Sequence, residues 1–122
     1  MTEAKKPAHF IASARDDLLT MPVEVRGVFG FAIYVAQLGG KHPDAKPLKG
    51  FGGAGILEVV EDYDGDTFRA VYTVKFAGIV YVLDAFQKKS KQGNRTAKHD
   101  IERIRSRLRL AETDYALRRS RP

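Results

Sequence analysis

The stretch that decides the fold is Ile56 to Phe86, I-L-E-V-V-E-D-Y-D-G-D-T-F-R-A-V-Y-T-V-K-F-A-G-I-V-Y-V-L-D-A-F. It reads as three strands in succession. Ile56–Val60 and Phe68–Phe76 are rich in β-branched and aromatic residues, and the acidic D-Y-D-G-D between them carries the Asp-Gly turn signal of a hairpin. After Ala77-Gly78 a further apolar run, Ile79 to Phe86, continues the sheet. Alternation along the middle strand places Phe68, Ala70, Tyr72, Val74 and Phe76 on one side and Arg69, Val71, Thr73 and Lys75 on the other. One face reads as core and the other as half polar, which predicts helices on one side of the sheet and an open basic surface on the other.

The flanking segments supply those helices. His9-Phe10-Ile11-Ala12 reads as a short strand, and Ser13 with Asp16 forms an S-x-x-D capping pattern at the start of a helix carrying Leu18 and Leu19. Pro22, which costs no useful donor at a first helical turn, opens a second helix with Val25, Val28, Phe29, Ala32, Ile33 and Ala36 in one stripe; Gly39-Gly40 closes it. Gly27 and Gly30 inside that helix call for a reason such as close packing, since each costs roughly 1 kcal/mol against alanine. The proline- and glycine-rich stretch from Lys41 to Gly55 reads as a connecting loop. Behind the last strand, Ile101, Ile104, Leu108 and Ala111 make a narrow helical stripe flanked by Arg103, Arg105, Arg107 and Arg109, with residues 112–122 read as a frayed tail beyond an ordered core of about 8–111.

At 122 residues and 43% hydrophobic the chain has material for one core, so 1–122 reads as a single domain. The absence of cysteine removes disulfides and thiolate metal sites. The opening M-T-E-A-K-K-P lacks the apolar region of a signal peptide, and no stretch reaches the roughly 20 apolar residues of a membrane helix, so a cytoplasmic protein is expected. The net charge of +6 is unevenly spread. From Phe86 onward 12 Lys and Arg face four acids, whereas the preceding residues hold nine bases against 11 acids. A basic segment beside a folded platform attracts phosphates and speeds encounter with nucleic acid, although a merely solvated helix face has the same composition.

Other patterns fail on context. Gly50–Gly55 matches G-x-G-x-x-G but precedes a strand, where a dinucleotide fingerprint must leave one and enter a helix. Asp62, Asp64 and Asp66 alternate like the opening of a calcium loop, yet Gly65 is misplaced and Thr73 stands where a glutamate is required. His9, His42 and His99 have no metal-ligand spacing, and there is no nucleophile elbow. No cofactor is expected. What remains is a cluster of Lys49, Arg69, Lys88, Lys89 and Lys91, which the strand order brings toward one end of the sheet. Guanidinium and ammonium groups there could neutralise a phosphorane during RNA cleavage, and a lysine among other cations is a candidate proton carrier.

Four segments together resemble the RelE/HigB toxin superfamily, in particular its phage-derived branch: D-D-L-L-T-M-P-V-E-V-R from Asp16, A-K-P-L-K-G-F-G-G-A-G-I-L-E from Ala45, D-G-D-T-F-R-A-V-Y-T-V from Asp64, and F-Q-K-K-S-K with D-I-E-R-I-R-S-R-L from Phe86. The likeness spans about Phe10 to Leu110. It implies a small α+β RelE-like fold, with an N-terminal strand and two helices packed on one face of a mostly antiparallel sheet and a C-terminal basic helix. It further implies a metal-independent endoribonuclease that cuts mRNA on the ribosome, inhibits translation and is silenced by a helix-turn-helix, HigA-like antitoxin. By the same likeness Arg69 occupies the strand arginine of an aromatic-Arg-x-x-Tyr motif with Tyr72 as its tyrosine; Lys49 lies in an L-K-G motif, and Lys88 and Lys89 form the basic pair after the sheet. Catalysis is thus expected of Arg69, Lys89, Lys88 and Lys49, and RNA binding of Lys91, Lys75, Tyr72, Arg95 and Lys98. Two positions depart from the pattern: Glu58-Val59-Val60 replaces E-L-R, and Thr96-Ala97 replaces T-P. With one basic contact missing, a non-catalytic nucleic-acid-binding or regulatory module that retains the same fold is the alternative.

Overall fold

The computed structural model describes residues 5–53, 55–88 and 96–120. Its elements follow the chain as β1 (Ala8–Phe10), α1 (Ala14–Leu19), α2 (Val23–Gln37), β2 (Lys46–Pro47), β3 (Ile56–Tyr63), β4 (Asp66–Thr73), β5 (Val80–Lys88) and α3 (Lys98–Arg119). The hairpin forms where its turn chemistry dictates. Asp64 and Gly65 both take positive φ, 51° and 84°, a left-handed pair that matches the twist of the flanking strands and that Asp-Gly accommodates cheaply. Tyr63 then lies opposite Asp66, and the register runs back to Ile56 opposite Thr73.

The strands assemble in the order β1-β5-β4-β3-β2, with β1 parallel to β5 and every other pair antiparallel. Where Val71 pairs with Asp84 and Tyr72 with Val82, Leu83 is the extra residue of a β-bulge. On one face α1 and α2 bury Leu18, Val25, Phe29, Ala32 and Ile33 against Leu57, Val59, Phe68, Ala70, Tyr72, Val80 and Val82. The expected second-helix stripe is the buried one, with Val28 at its margin. Ser13 does stand at the cap of α1, but its hydroxyl donates to Asp17 (2.8 Å) rather than acting with Asp16 on the backbone.

The opposite face is covered, which corrects the expected open basic surface. There α3 seals a second core in which Ile104 and Ala111 pack with Val71, Tyr81, Leu83, Ile56 and Leu48, bordered by Phe76, Phe86, Ile101, Leu108 and Tyr115. The physical reason lies in β5. Its run Val80-Tyr81-Val82-Leu83 is apolar at every position, the mark of a strand buried on both faces, and Tyr81 and Leu83 need a cover that Val80 and Val82 do not share. The helix also continues past residue 112, where fraying was expected, because Tyr115 packs against Phe76 and Asp114 accepts a hydrogen bond from the Tyr81 hydroxyl (2.6 Å). No close packing among the described residues explains the helical glycines: a Cβ added at Gly27 or Gly30 would meet nothing within 4 Å.

Candidate functional site

Arg69 lies on β4 between Val60 of β3 and Phe86 of β5, on the face that α3 covers. Pairing in the sheet fixes its neighbours. Glu58, one diagonal step away on β3, projects from the same face and accepts a hydrogen bond from Arg69 Nη1 at 2.8 Å. Thr96, two residues ahead of α3, closes a triangle: its Oγ1 accepts from Arg69 Nη1 and donates to Glu58 Oε2, both at 3.2 Å. The arginine is only 2% exposed, so the strand cation expected on open surface is instead an internal ion pair roofed by the start of the helix.

Lys88 pairs with Thr67 at the end of β5, two residues beyond Phe86 and therefore on the Arg69 face at diagonal spacing, roughly 7–8 Å between strands. Lys98 opens α3 and is exposed, two residues from Thr96. These three cations share one end of the sheet. Lys49 and Lys75 do not join them. Leu48, beside Lys49, hydrogen bonds to Ile56, four β3 residues from the partner of Arg69 and so roughly 13 Å along the strand. The neighbouring Gly50 carbonyl accepts from Arg105, whose guanidinium also stacks on Phe51 at 4.7 Å. Lys75 lies beyond the far end of β4, 3.9 Å from Glu112 of α3. Tyr72 alternates to the other face and is wholly enclosed beneath α2, so it cannot touch RNA as the resemblance implied. Burial pushes its hydroxyl up to about 12. Lys89, Lys91 and Arg95 lie outside the described residues.

A cleft of about 660 Å³ opens next to this end of the sheet, between α1, β5 and α3, with Phe86 as the wall it shares with the Arg69 side. Its floor is Asp84, 1% exposed. That carboxylate accepts from Arg103 Nε (2.7 Å), Arg107 Nη1 (3.0 Å) and the Ala85 backbone N–H (3.0 Å). Burial pushes Asp84 above the ordinary carboxylate value while the two guanidiniums pull it back. On Arg103 burial acts downward, but Asp84 and Asp100 outweigh it and raise the group. The geometry decides between these tendencies: three donors on one carboxylate hold it ionised. Arg107 also donates to the bulged Leu83 carbonyl (3.0 Å) and to Ser13 (2.9 Å), so two of the arginines expected to form a phosphate-attracting face instead clamp α3 onto the sheet. His99 stands at the cleft rim, its Nε2 3.3 Å from Asp100.

Sequence reasoning missed Glu58, Thr96 and Asp84. The signal for Glu58 was present, since a carboxylate two positions from the register partner of a strand arginine is a diagonal neighbour. Asp84 inside an otherwise apolar strand was a second such signal, because a buried carboxylate requires cations. Among the described residues no group of His, Asp and Glu is arranged to hold a metal, and no helix is long and apolar enough to cross a membrane.

A five-stranded, mostly antiparallel sheet covered by helices on both faces makes this a small α+β protein. The sequence matches the family "Phage derived protein Gp49-like (DUF891)" over residues 16–109, and the chain belongs to that family. No curated protein sequence matches it. Among solved structures, a mutant of the E. coli toxin RelE in the free state is 15% identical, with 85% of this chain and 94% of that chain covered and a TM-score of 0.51, which shows a shared fold. The toxin–antitoxin complex RelBE2 from Mycobacterium tuberculosis is 19% identical, covering 71% of this chain and 95% of the matched one at a TM-score of 0.45.

Proposed function

We propose that this protein is the toxin of a type II toxin–antitoxin pair: a cytoplasmic, ribosome-dependent mRNA endoribonuclease that arrests translation and is silenced by a helix-turn-helix antitoxin. Its family and its RelE fold support this reading. The structural observation that carries it is the convergence of Arg69, Lys88 and the start of α3 at one end of the sheet, with Glu58 on the arginine. Cleavage by the 2′-hydroxyl needs a proton acceptor, a cation on the phosphorane and a donor for the leaving 5′-oxygen, and no metal. A phosphate displacing Glu58 from Arg69 would gain a bidentate partner and at the same time free a carboxylate beside the 2′-hydroxyl to accept its proton. Lys88 then holds the phosphate from the neighbouring strand. Since Thr96 roofs Arg69, substrate entry requires the N-terminal end of α3 to shift off the pair.

Producing the chain alone in bacteria tests this reading. Growth arrest with new mRNA 5′ ends at ribosome-occupied codons is the expected result, reduced at least tenfold in Glu58→Gln and Lys88→Ala proteins that remain folded. Intact transcripts and normal growth despite soluble protein would overturn it. The burial of Arg69 in an ion pair favours a second reading, a non-catalytic RNA-binding module. That reading predicts binding that weakens steeply with salt and leaves translated mRNA uncut.

A further inference from the structure

The cleft between α1, β5 and α3 takes no part in the phosphate chemistry at Arg69, yet it opens one strand away from it. Phe86, on its wall, is the register partner of Arg69, roughly 5 Å apart between Cα atoms, and Gln87 immediately precedes Lys88. Pairing of β1 with β5 ends at Val82. Beyond that residue the outer edge of β5 carries no strand among the described residues, and the cleft runs along it. Its volume of about 660 Å³ lies within the range of sites that enclose small organic molecules.

The polar groups in this cleft are held in place, and two of them are idle. Arg103 gives its Nε to Asp84 (2.7 Å) and its Nη2 to Asp100 (2.8 Å), which fixes the guanidinium over the Phe86 ring, 5.1 Å from the centroid. Its Nη1 has no partner among the described residues, and the side chain is 34% exposed. Asp100 is 8% exposed. Its Oδ1 takes the Arg103 bond and lies 3.3 Å from His99 Nε2, whereas its Oδ2 accepts no hydrogen bond among the described residues and is not sealed off from solvent. A carboxylate more than nine-tenths buried with one oxygen unused calls for a donor. The apolar surface of Met21 and Phe68 completes the lining.

A fixed donor next to a fixed acceptor, beside a planar cation, an aromatic ring and apolar side chains, suits a flat molecule with both donors and acceptors on its edge. Unpaired RNA bases are recognised in this way, stacked on aromatic rings or guanidinium planes and hydrogen bonded along the Watson–Crick edge. Charge disfavours the plainer occupant, a second phosphate. The walls carry three carboxylates, Asp17, Asp84 and Asp100, against two guanidiniums that are both already bonded to Asp84. We propose that the cleft is a nucleobase pocket, in which Arg103 and Asp100 read the edge of a base adjoining the phosphate held at Arg69. The proposal rests on the RNA-cleaving reading of that phosphate site. Asp84 is the positioning residue, buried beneath the guanidinium whose direction it sets. Because both readers are ordered before RNA arrives, the pocket discriminates between bases rather than adapting to each. A well-placed pair of edge contacts separates one base from another by about 5- to 100-fold.

Titrating the full-length chain with adenosine, cytidine, guanosine and uridine, each without phosphate, tests the pocket apart from any cleavage. Amide NMR signals of Phe86, Gln87, His99 and Arg103 should shift saturably, with at least about fivefold between the strongest and weakest nucleoside. Asp100→Asn, which turns an acceptor into a donor, should weaken the preferred nucleoside by about fivefold or more and change the order of preference. Thr20→Phe, at an exposed position on the rim, places a ring in the opening without touching the ion pairs and should abolish the shifts; circular dichroism establishes that both variants are folded. Where mRNA is cut, Asp100→Asn should alter the base frequency at one position beside the new 5′ ends. Equal binding of all four nucleosides, shifts that survive both variants, no shift at these residues, or inorganic phosphate displacing the nucleosides from the cleft would each overturn the proposal. The two readings fail separately. Nucleoside binding with intact transcripts would sink the ribonuclease and keep the pocket, whereas cleavage with a silent cleft would sink the pocket alone.

Discussion

At the scale of single residues the governing contact is Arg69 with Glu58, an ion pair 2.8 Å long between side chains 2% and 16% exposed. Removing one member of such a pair leaves the other charged and poorly solvated. Arg69→Ala should therefore lower stability by about 3–5 kcal/mol in urea unfolding, while Arg69→Met/Glu58→Leu should recover most of the loss because neither charge is stranded. A loss below about 1 kcal/mol for Arg69→Ala would show the pair to be solvated. Lost activity in that single variant is consequently no measure of chemistry, and Lys88→Ala is the cleaner probe. Tyr72 gives the reverse case. Its hydroxyl is buried and finds no hydrogen-bond partner among the described residues, so Tyr72→Phe should leave stability unchanged or raise it by about 1–2 kcal/mol. A loss of that size would instead reveal a partner for the hydroxyl. Alternation along β4 showed from sequence that Arg69 and Tyr72 take opposite faces. It could not show that both faces are covered, since Arg69-x-Val71-x-Thr73 looks as polar as a solvated surface until the helix that packs on it is in place.

Among the elements, α2 and α3 carry opposite lessons. In α2 the inner stripe and both ends were legible, because a 3.6-residue period, Pro22 at the N-cap and Gly39 at positive φ (88°) are local signals. The role of Gly27 and Gly30 was not, because it depends on what lies over them. With open space at both, Gly27→Ala and Gly30→Ala should each stabilise the chain by about 0.5–1 kcal/mol, measured by thermal unfolding. Destabilisation at either site would place an unseen neighbour against it. In α3 the sequence showed a narrow apolar stripe among arginines and suggested a charged surface helix. Docking turned two of those arginines inward, because Asp84 on β5 supplies a buried anion that only folding brings to Arg103 and Arg107.

For the whole molecule, both cores hang on β5, and alkaline pH should weaken both together. Burial, reinforced by the Asp114 carboxylate, pushes the Tyr81 hydroxyl up to about 12, and burial alone does the same for Tyr72. Between pH 10 and 12 the unfolded chain releases these protons and the folded one retains them, so stability falls as pH rises through that window. Tyr81→Phe should be less stable than wild type at pH 7, having lost its bond to Asp114, and should show a shallower decline above pH 10 in unfolding monitored by circular dichroism. Equal slopes for the two proteins would show that Tyr81 does not govern the alkaline loss. At the acid end Asp114, held below its ordinary value by the Tyr81 and Arg118 hydrogen bonds, contributes stability that is lost as pH falls below about 4.

The chain alone determined the features that arise between near neighbours: the Asp-Gly hairpin, the three successive strands, the two N-terminal helices with their stops, and the concentration of positive charge behind the sheet. Period, turn chemistry and capping act over a few residues and are written into them. Tertiary structure decided which faces meet water, since that depends on surfaces brought together across the chain. It put α3 over the second side of the sheet, placed Arg69 against Glu58 and Thr96 instead of solvent, and separated Lys49 and Lys75 from the Arg69 end. An arginine has the same side chain on a surface as in an ion pair. Only the arrival of a carboxylate from elsewhere, in a largely buried site, distinguishes the two.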